Sequence, residues 1–333
     1  MKNNFLLKTS IAFCLFFAIA MHAFSQNQKS YLGYYSLINQ AEMLTFENKN
    51  QQALKKYLEA FKQYDGFEED YISAVELALK QPNAKITFNL LKEKAIKTGW
   101  YSPEELFDSL QFSIFSKTSF GKIFDKNKEL WFEQNFAKIN YRAVYLKNTI
   151  SATDQFVRSS YLESSKKNFI NDSLMEETYN KIEQKTDNIN FKQFKQFVND
   201  NGFPGRKMFA GKTILTAFII HVFKYYYILD SNSSQFDKDK FYYLDSLLKL
   251  QVINGEYTRH NYAYCYDYSL SSDSLTYFSI PIFMRENGKR IYINYPVIDP
   301  KNLNKRRAEI GLMTIEDQCK IYGVPLPPNY KSN

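Results

Sequence analysis

Residues 187–230 read DNINFKQFKQFVNDNGFPGRKMFAGKTILTAFIIHVFKYYYILD, and the order within this stretch decides the fold. A polar helix over Asn190–Asn199 comes first. Gly202 ends it, because a residue without Cβ enters the left-handed region at no steric cost. Pro204 keeps the helix from resuming at once. From Ile214 to Tyr227 the chain is apolar nearly all round, which predicts a helix buried inside a larger body. His221 stands near the middle of that run, with Arg206 on its approach. Ile214, Leu215, Phe218, Val222 and Tyr225 recur three or four residues apart and should be buried. Ile219 and Ile220 cover another face.

Outward toward the N-terminus the chain stays helical. Ala53, Tyr57 and Ala60 have the spacing of the second helix of a tetratricopeptide unit, and Ala84, Phe88 and Leu91 repeat it roughly. Small residues there let two helices approach closely, with Gly66 and Pro82 between helices. Ser102-Pro103-Glu104-Glu105 reads as a helix start. Residues 127–161 carry Leu130, Phe132, Phe136, Ile139, Tyr141, Val144 and Tyr145 at helical spacing, which predicts a segment packed between two halves. Ser151 to Ser173 reads as linker plus helix start.

Toward the C-terminus, Lys240–Gln251 reads as a helix stopped by Asn254-Gly255. The run Tyr262-Ala263-Tyr264-Cys265-Tyr266-Asp267 is compatible with strand or helix; its aromatic content favours a strand and periodicity does not decide. Asn287-Gly288 between two aliphatic-aromatic runs is the strongest short hairpin signal in the chain. A last helix is expected over Asn302–Ile310, ahead of Gly311. The fold class is therefore mainly α: a tetratricopeptide-like array of helical hairpins, then a mostly helical C-terminal domain with one β-hairpin.

The first 25 residues have the order of a secretory signal peptide. Lys2 and Lys8 give a basic start, Ile11–Met21 a short apolar run, and Ala23-Phe24-Ser25 a cleavage site. The run is about half a membrane span, so cleavage near Ser25/Gln26 is expected, with no transmembrane segment left behind. Cys14 lies inside that run and not at the cleavage point, which argues against lipid attachment. The expected divisions are 1–25 signal peptide, 26–148 helical module, 149–185 linker or connecting helix, and 186–333 C-terminal domain, in a periplasmic or secreted protein.

Of the formal charge of +8, the leader holds two lysines and no acid, leaving +6. The basic residues are scattered, which excludes a nucleic-acid footprint. Met208-Phe209-Ala210-Gly211-Lys212-Thr213 mimics a phosphate loop, but Arg206 stands where its first glycine is needed. Past the leader only His221 and His260 remain, and no metal-ligand spacing exists. No cofactor is implied. Cys265 and Cys319 could pair in an oxidising compartment, although a domain this large does not need the staple.

His221 on an apolar helix reads first as a satisfied core histidine; it is also the candidate catalytic residue, as a buried imidazole with acid or arginine partners. Arg206, Asp267, Tyr292, Arg306 and Arg307 are candidate binding residues. Asp267 could orient His221 or pair with Arg306, and either of the paired arginines could hold an anion.

Asp187 with Asn190, Gly202-Phe203-Pro204, His221, Asp267 and Arg306-Arg307-Ala308-Glu309-Ile310-Gly311-Leu312 resemble, in order and spacing, a bacterial domain family of unknown function. That family shares D-x-x-N, G-[WF]-P, Q-H-A-D, D-R, Y-G-T-Q and R-R-x-x-x-G-L. Here Ile220-His221-Val222-Phe223, Asp267-Tyr268 and Tyr292-Ile293-Asn294-Tyr295 depart from it. The resemblance implies a boundary near Asp187 and a polar cluster, and no activity. The expected function is a binding or scaffolding module of the cell envelope, whose partner is another envelope protein or a peptide. The alternative is a hydrolase-like envelope enzyme using His221 as acid or base with an arginine anion clamp.

Overall fold

The computed structural model describes residues 30–98, 109–166, 173–209, 216–228, 235–270, 274–286, 289–331. The leader, the Ser102-Pro103 helix start and part of the phosphate-loop mimic lie outside them, as do Ile214 and Leu215. Among the described residues there are thirteen α-helices and one pair of strands, so the fold is mainly α with a single β-hairpin.

Four helices open the chain: α1 (Leu32–Phe46), α2 (Asn50–Gln63), α3 (Glu68–Leu79) and α4 (Ala84–Thr98). They form two helical hairpins joined through Gly66. Ala41, Ala53, Ala60, Ala74 and Ala78 are fully buried along their seams. Tyr34, Tyr57 and Tyr71 fill the space those small residues leave. Tyr34 also donates a hydrogen bond of 2.5 Å to the buried carboxylate of Asp70, which ties α1 to α3.

A short α5 (Leu110–Ser116) leads into α6 (Ser119–Phe136), which packs on α4. Ser119-Phe120-Gly121 form the first turn of this helix. Thr118 caps it by accepting from the Gly121 amide at 3.0 Å. The stripe expected to be buried over residues 127–161 is not the one the fold buries. Leu130, Phe136, Tyr141 and Tyr145 are exposed, whereas Phe124, Trp131, Leu146 and Ile150 are buried. A turn at Ala137–Asn140 separates two helices there, so one continuous helical phase cannot place the side chains.

Next come α7 (Tyr141–Lys166) and α8 (Ser173–Asn201), a long pair packed side by side. Their seam occupies the segment expected as linker. Gly202, at φ +83°, ends α8 as anticipated. The apolar helix is α9 (Thr216–Ile228), with Phe218, Ile219, Ile220, Val222 and Phe223 all buried. Burial on more than one side is thus what the described part of this helix has. It packs against α7, α8, α10 (Gln235–Ile253) and α11 (Arg259–Leu270).

The strand expected over Tyr262–Asp267 is instead the middle of α11. Alternating tyrosines contain an i,i+4 spacing as well as a period of two. The rings of Tyr262 and Tyr266, and of Tyr264 and Tyr268, meet at 5.4 Å along the helix. Thr258 starts it by accepting from the Asn261 amide at 3.1 Å. Strands β1 (Ile282–Glu286) and β2 (Lys289–Ile293) pair antiparallel with Ile282 opposite Ile293, which is the hairpin expected around Asn287-Gly288. A 3₁₀ turn (Pro300–Asn302) leads to α12 (Leu303–Glu309), and α13 (Ile315–Tyr322) closes the chain.

One apolar cluster runs from Tyr34 through α11 to Leu312, and a smaller one joins Val297, Leu303, Ile315 and Cys319. Backbone groups bind the first helix to the C-terminal part. The Tyr31 amide donates to the Ile253 carbonyl at 2.8 Å, and Asn39 Nδ2 donates to the Gly311 carbonyl at 3.1 Å. Gly311 takes φ +77°, and a Cβ there would lie 2.5 Å from the Tyr35 ring. Cys265 and Cys319, the cysteines among the described residues, are buried and form no disulfide with each other. No helix among the described residues is long and apolar enough to cross a membrane.

Candidate functional site

Three helices converge on His221. It sits half-buried on α9, and its Nδ1 lies 2.8 Å from Asp154 Oδ1 on α7. One turn further along α7, Arg158 lies with Nε 3.0 Å from the same Nδ1 and 3.1 Å from Asp154 Oδ1. A ring nitrogen cannot both donate to Asp154 and accept from Arg158. The arrangement that satisfies every group has Nδ1–H donating to Asp154 and Arg158 Nε–H donating to the same carboxylate. That tautomer leaves Nε2 as the acceptor, with no hydrogen bond to any described residue.

Helix α8 supplies the opposite wall. Arg158 donates through one terminal nitrogen to both Asp187 oxygens, at 3.1 and 3.0 Å, and through the other to Glu183 at 3.2 Å. Asn190 accepts from Thr153 at 2.9 Å, and its buried Nδ2 has no partner among the described residues. Environment separates the two aspartates. Burial would raise Asp154, but the hydrogen bond and charge of His221, with Arg158 behind, hold it below the usual carboxylate range. At Asp187 burial outweighs Arg158 and His221, and the carboxyl is pushed up.

Asp154, Asp187 and His221 each offer one ligand atom, and the three atoms lie within 4.8 Å of one another. Such a set has the hard-oxygen and imidazole chemistry of a divalent-cation site. The guanidinium of Arg158 already fills that place, and a cation would have to displace it. The sequence shows no metal-ligand spacing because the three groups come from three helices.

The remaining sequence candidates are elsewhere. Arg206 is buried, stacks on Phe67 with its guanidinium carbon 4.6 Å from the ring centre, and donates to the Asp65 and Gly66 carbonyls at 2.9 Å each. Asp267 is fully buried and accepts from the amides of Tyr277, Phe278 and Ile280 at 2.7, 2.8 and 2.6 Å. It touches neither His221 nor Arg306, so neither expected pairing forms. Arg306 stacks on Tyr277 and donates to the Asp299, Tyr277 and Ile298 carbonyls. Arg307 donates to the Met313 and Phe278 carbonyls at 2.7 and 2.5 Å and to Gln318 Oε1. The terminal nitrogens of the pair donate to oxygens inside the fold, and Arg306 also lies 3.5 Å from the Asp299 carboxylate. Tyr292, with its hydroxyl 3.4 Å from Asn294 Oδ1, is remote in sequence and bonding from the His221 cluster.

One turn along the same α7–α8 seam, the charged cluster gives way to a groove of about 810 Å³. Leu146 and Phe197 lie buried in it, and Tyr141 and Tyr145 stand at its rim, 72% and 75% exposed. Arg142, Lys192, Gln193 and Asp200 supply its polar edge.

No family model, no curated protein and no solved structure matches this chain.

Proposed function

We propose that this is an exported cell-envelope protein whose α7–α8 groove binds a segment of another envelope protein or a peptide. The observation that carries the proposal is the pair of tyrosines one helical turn apart, both more than two-thirds exposed, at the rim of that groove. Isolated exposed apolar residues are ordinary, but large rings gathered around a concavity mark a surface built to be covered. A groove between two helices suits the apolar face of an amphipathic helix, and Arg142 and Lys192 favour an acidic flank on it. The tetratricopeptide-like spacing of the first four helices supports the same class of function, since such hairpin arrays present protein-binding faces. The family resemblance, which rests on its motif residues alone, adds a polar cluster to this reading and no chemistry.

The test replaces Tyr145 by a photo-crosslinking residue in the living cell, with the same replacement at exposed Tyr268 as control. A discrete adduct at position 145 that disappears with Leu146→Arg is expected. Identical adducts at both positions would remove the proposal.

A second reading is favoured by the 2.8 Å contact between Asp154 and His221, which orients an imidazole as a general base would be oriented. It ranks below binding because the neighbouring Arg158 is tied to three carboxylates, and His221 lines neither the α7–α8 groove nor a second polar cavity beside α13. An activity abolished by His221→Gln in a folded protein would reverse that ranking.

A further inference from the structure

The cluster around His221 has two features that its hydrogen bonds leave unresolved. The first is charge. Asp154, Asp187 and Glu183 are three carboxylates, and among the described residues their charged partners are Arg158 and, when protonated, His221. Negative charge exceeds positive charge in either form of the imidazole. The side chains of Asp154 and Asp187 are each 2% exposed, so water does little to offset the excess. The second is a contact between donors. With Nδ1–H directed at Asp154, Arg158 Nε–H comes within 3.0 Å of the same nitrogen while serving the same carboxylate oxygen.

A divalent cation resolves both. Bound to Asp154 and Asp187 it makes a neutral unit, and Arg158 with Glu183 makes another. Arg158 and Glu183 keep 19% and 22% of their side-chain surface in solvent, so the guanidinium forms the outer side of the cluster. It can turn outward on Glu183, uncovering the two aspartates without losing a carboxylate partner of its own. The imidazole proton then passes from Nδ1 to Nε2, which leaves the Nδ1 lone pair for the ion.

The donor set selects among cations. One imidazole nitrogen beside two carboxylates suits a transition-metal ion such as zinc, whereas magnesium and calcium take oxygen ligands. Two donors on one zinc ion stand at most about 4 Å apart. The three ligand atoms here lie within 4.8 Å of one another. Closing on an ion therefore asks for a movement of under about 1 Å.

We propose that Asp154, Asp187 and His221 bind one divalent transition-metal ion, with Arg158 holding its place and swinging onto Glu183 when the ion enters. Three protein ligands leave a further position on the ion for water or another donor.

Zinc chloride is the probe. The full chain, treated with a chelator and then freed of it, is titrated with Zn2+ in a calorimeter and, in parallel, through the 15N signals of its imidazoles. His22→Gln and His260→Gln, neither of them in the cluster, identify the other two imidazoles and so assign His221. Saturable binding that moves the His221 Nδ1 signal is expected, with Mg2+ at the same concentration leaving it in place. Asp187→Asn should weaken Zn2+ binding at least tenfold. Arg158→Ala removes the competing cation and should tighten it at least tenfold, a gain that a purely structural ion-pair network would not give. The proposal is overturned if Zn2+ does not move the His221 signal, if Mg2+ moves it equally, if Asp187→Asn binds as the parent does, or if Arg158→Ala binds no tighter. The imidazole signal is read with the cluster unaltered, so a poorly folded Asp187→Asn or Arg158→Ala protein leaves the question decided.

Discussion

Arg307 and Arg158 are each held by three groups, and the difference between those groups separates two regions of the molecule. Around Arg307 the partners are two carbonyls and an amide oxygen, all neutral, and the side chain is fully buried. Burial pushes its guanidinium down to about 10, still charged at neutral pH. Around Arg158 the partners are Asp154, Asp187 and Glu183, and the side chain keeps a fifth of its surface in solvent. The first arrangement uses charge to strengthen hydrogen bonds that hold loops in place. The second balances charges that titrate. Neutral acceptors hold the cation in one region, and opposing charges hold it in the other.

The largest way to break this comparison is Arg307→Met. It strands the Met313 and Phe278 carbonyls and Gln318 Oε1 in the interior, at roughly 1–3 kcal/mol for each orphaned group. A loss of about 5 kcal/mol in a urea unfolding experiment, or failure to fold, is expected. A loss under about 1 kcal/mol would show that loops are held some other way. Phe218→Ala comes next, at about 3–5 kcal/mol for a buried aromatic. Phe218 sits one turn before His221 and meets Phe194 at 5.5 Å, so it tests the apolar seat of the polar cluster.

Acid sharpens the contrast, because one carboxylate from each region, Asp267 and Asp154, should respond with opposite signs. Burial pushes Asp267, the cap of the Tyr277–Ile280 loop, from its ordinary 3.8 to about 6, against the pull of its backbone bonds. The folded state therefore binds this proton more tightly than the unfolded chain. Its contribution improves as pH falls through 6 and levels off below 3.8, by up to about 3 kcal/mol. Asp154 is held low, so its contribution is present above the ordinary carboxylate range and is lost as pH falls through its folded value. Stability measured from pH 7 to 2.5 for the parent and Asp267→Asn should show the parent gaining relative to the variant. The corresponding difference against Asp154→Asn should run the other way. Equal signs would dissolve the distinction.

Much of the framework was legible because its signals are local. Gly202 as a helix stop, the buried faces of α9 and the Asn287-Gly288 hairpin each depend on residues within a few positions. The aromatic run of α11 was not, since Tyr262, Tyr264, Tyr266 and Tyr268 fit a period of two as well as an i,i+4 ladder. Packing on α9 decided for the helix. In the candidate site, His221, Asp187 and Asn190 stood out, while Asp154, Arg158 and Glu183 did not. A usable signal existed: Ala143, Leu146 and Ile150 form a buried stripe, and Asp154 and Arg158 continue it at spacings of four. Charges on the extension of an apolar stripe are buried and must be paired. The roles of Arg206, Arg306 and Arg307 were illegible in principle. Nearly all of their partners are backbone carbonyls, which carry no mark in side-chain sequence.

His221→Gln probes the titrating region itself. It removes a group that helps hold Asp154 low while keeping polarity and approximate size. A loss of about 1–2 kcal/mol is expected, the scale of one hydrogen bond to a charged group. Adduct formation at the α7–α8 groove should persist in the protein that remains folded. A fully stable variant that no longer forms the adduct would instead place His221 in the function.

The smallest effect on stability is expected where the effect on function is expected to be largest. Tyr145 is three-quarters exposed and its ring meets solvent on the rim of the groove. Surface substitutions away from caps, cores and buried pairs usually stay within about 0.5 kcal/mol, so Tyr145→Ala should unfold at nearly the same urea concentration as the parent. A rigid aromatic anchor at the centre of an interface can nevertheless carry 2 kcal/mol or more of binding, roughly a thirtyfold loss of affinity. Separating the two readouts matters because His221 lies further along the same seam. If Tyr145→Ala leaves capture of the crosslinked partner unchanged, the groove is only surface, and the charged cluster becomes the better place to look for function.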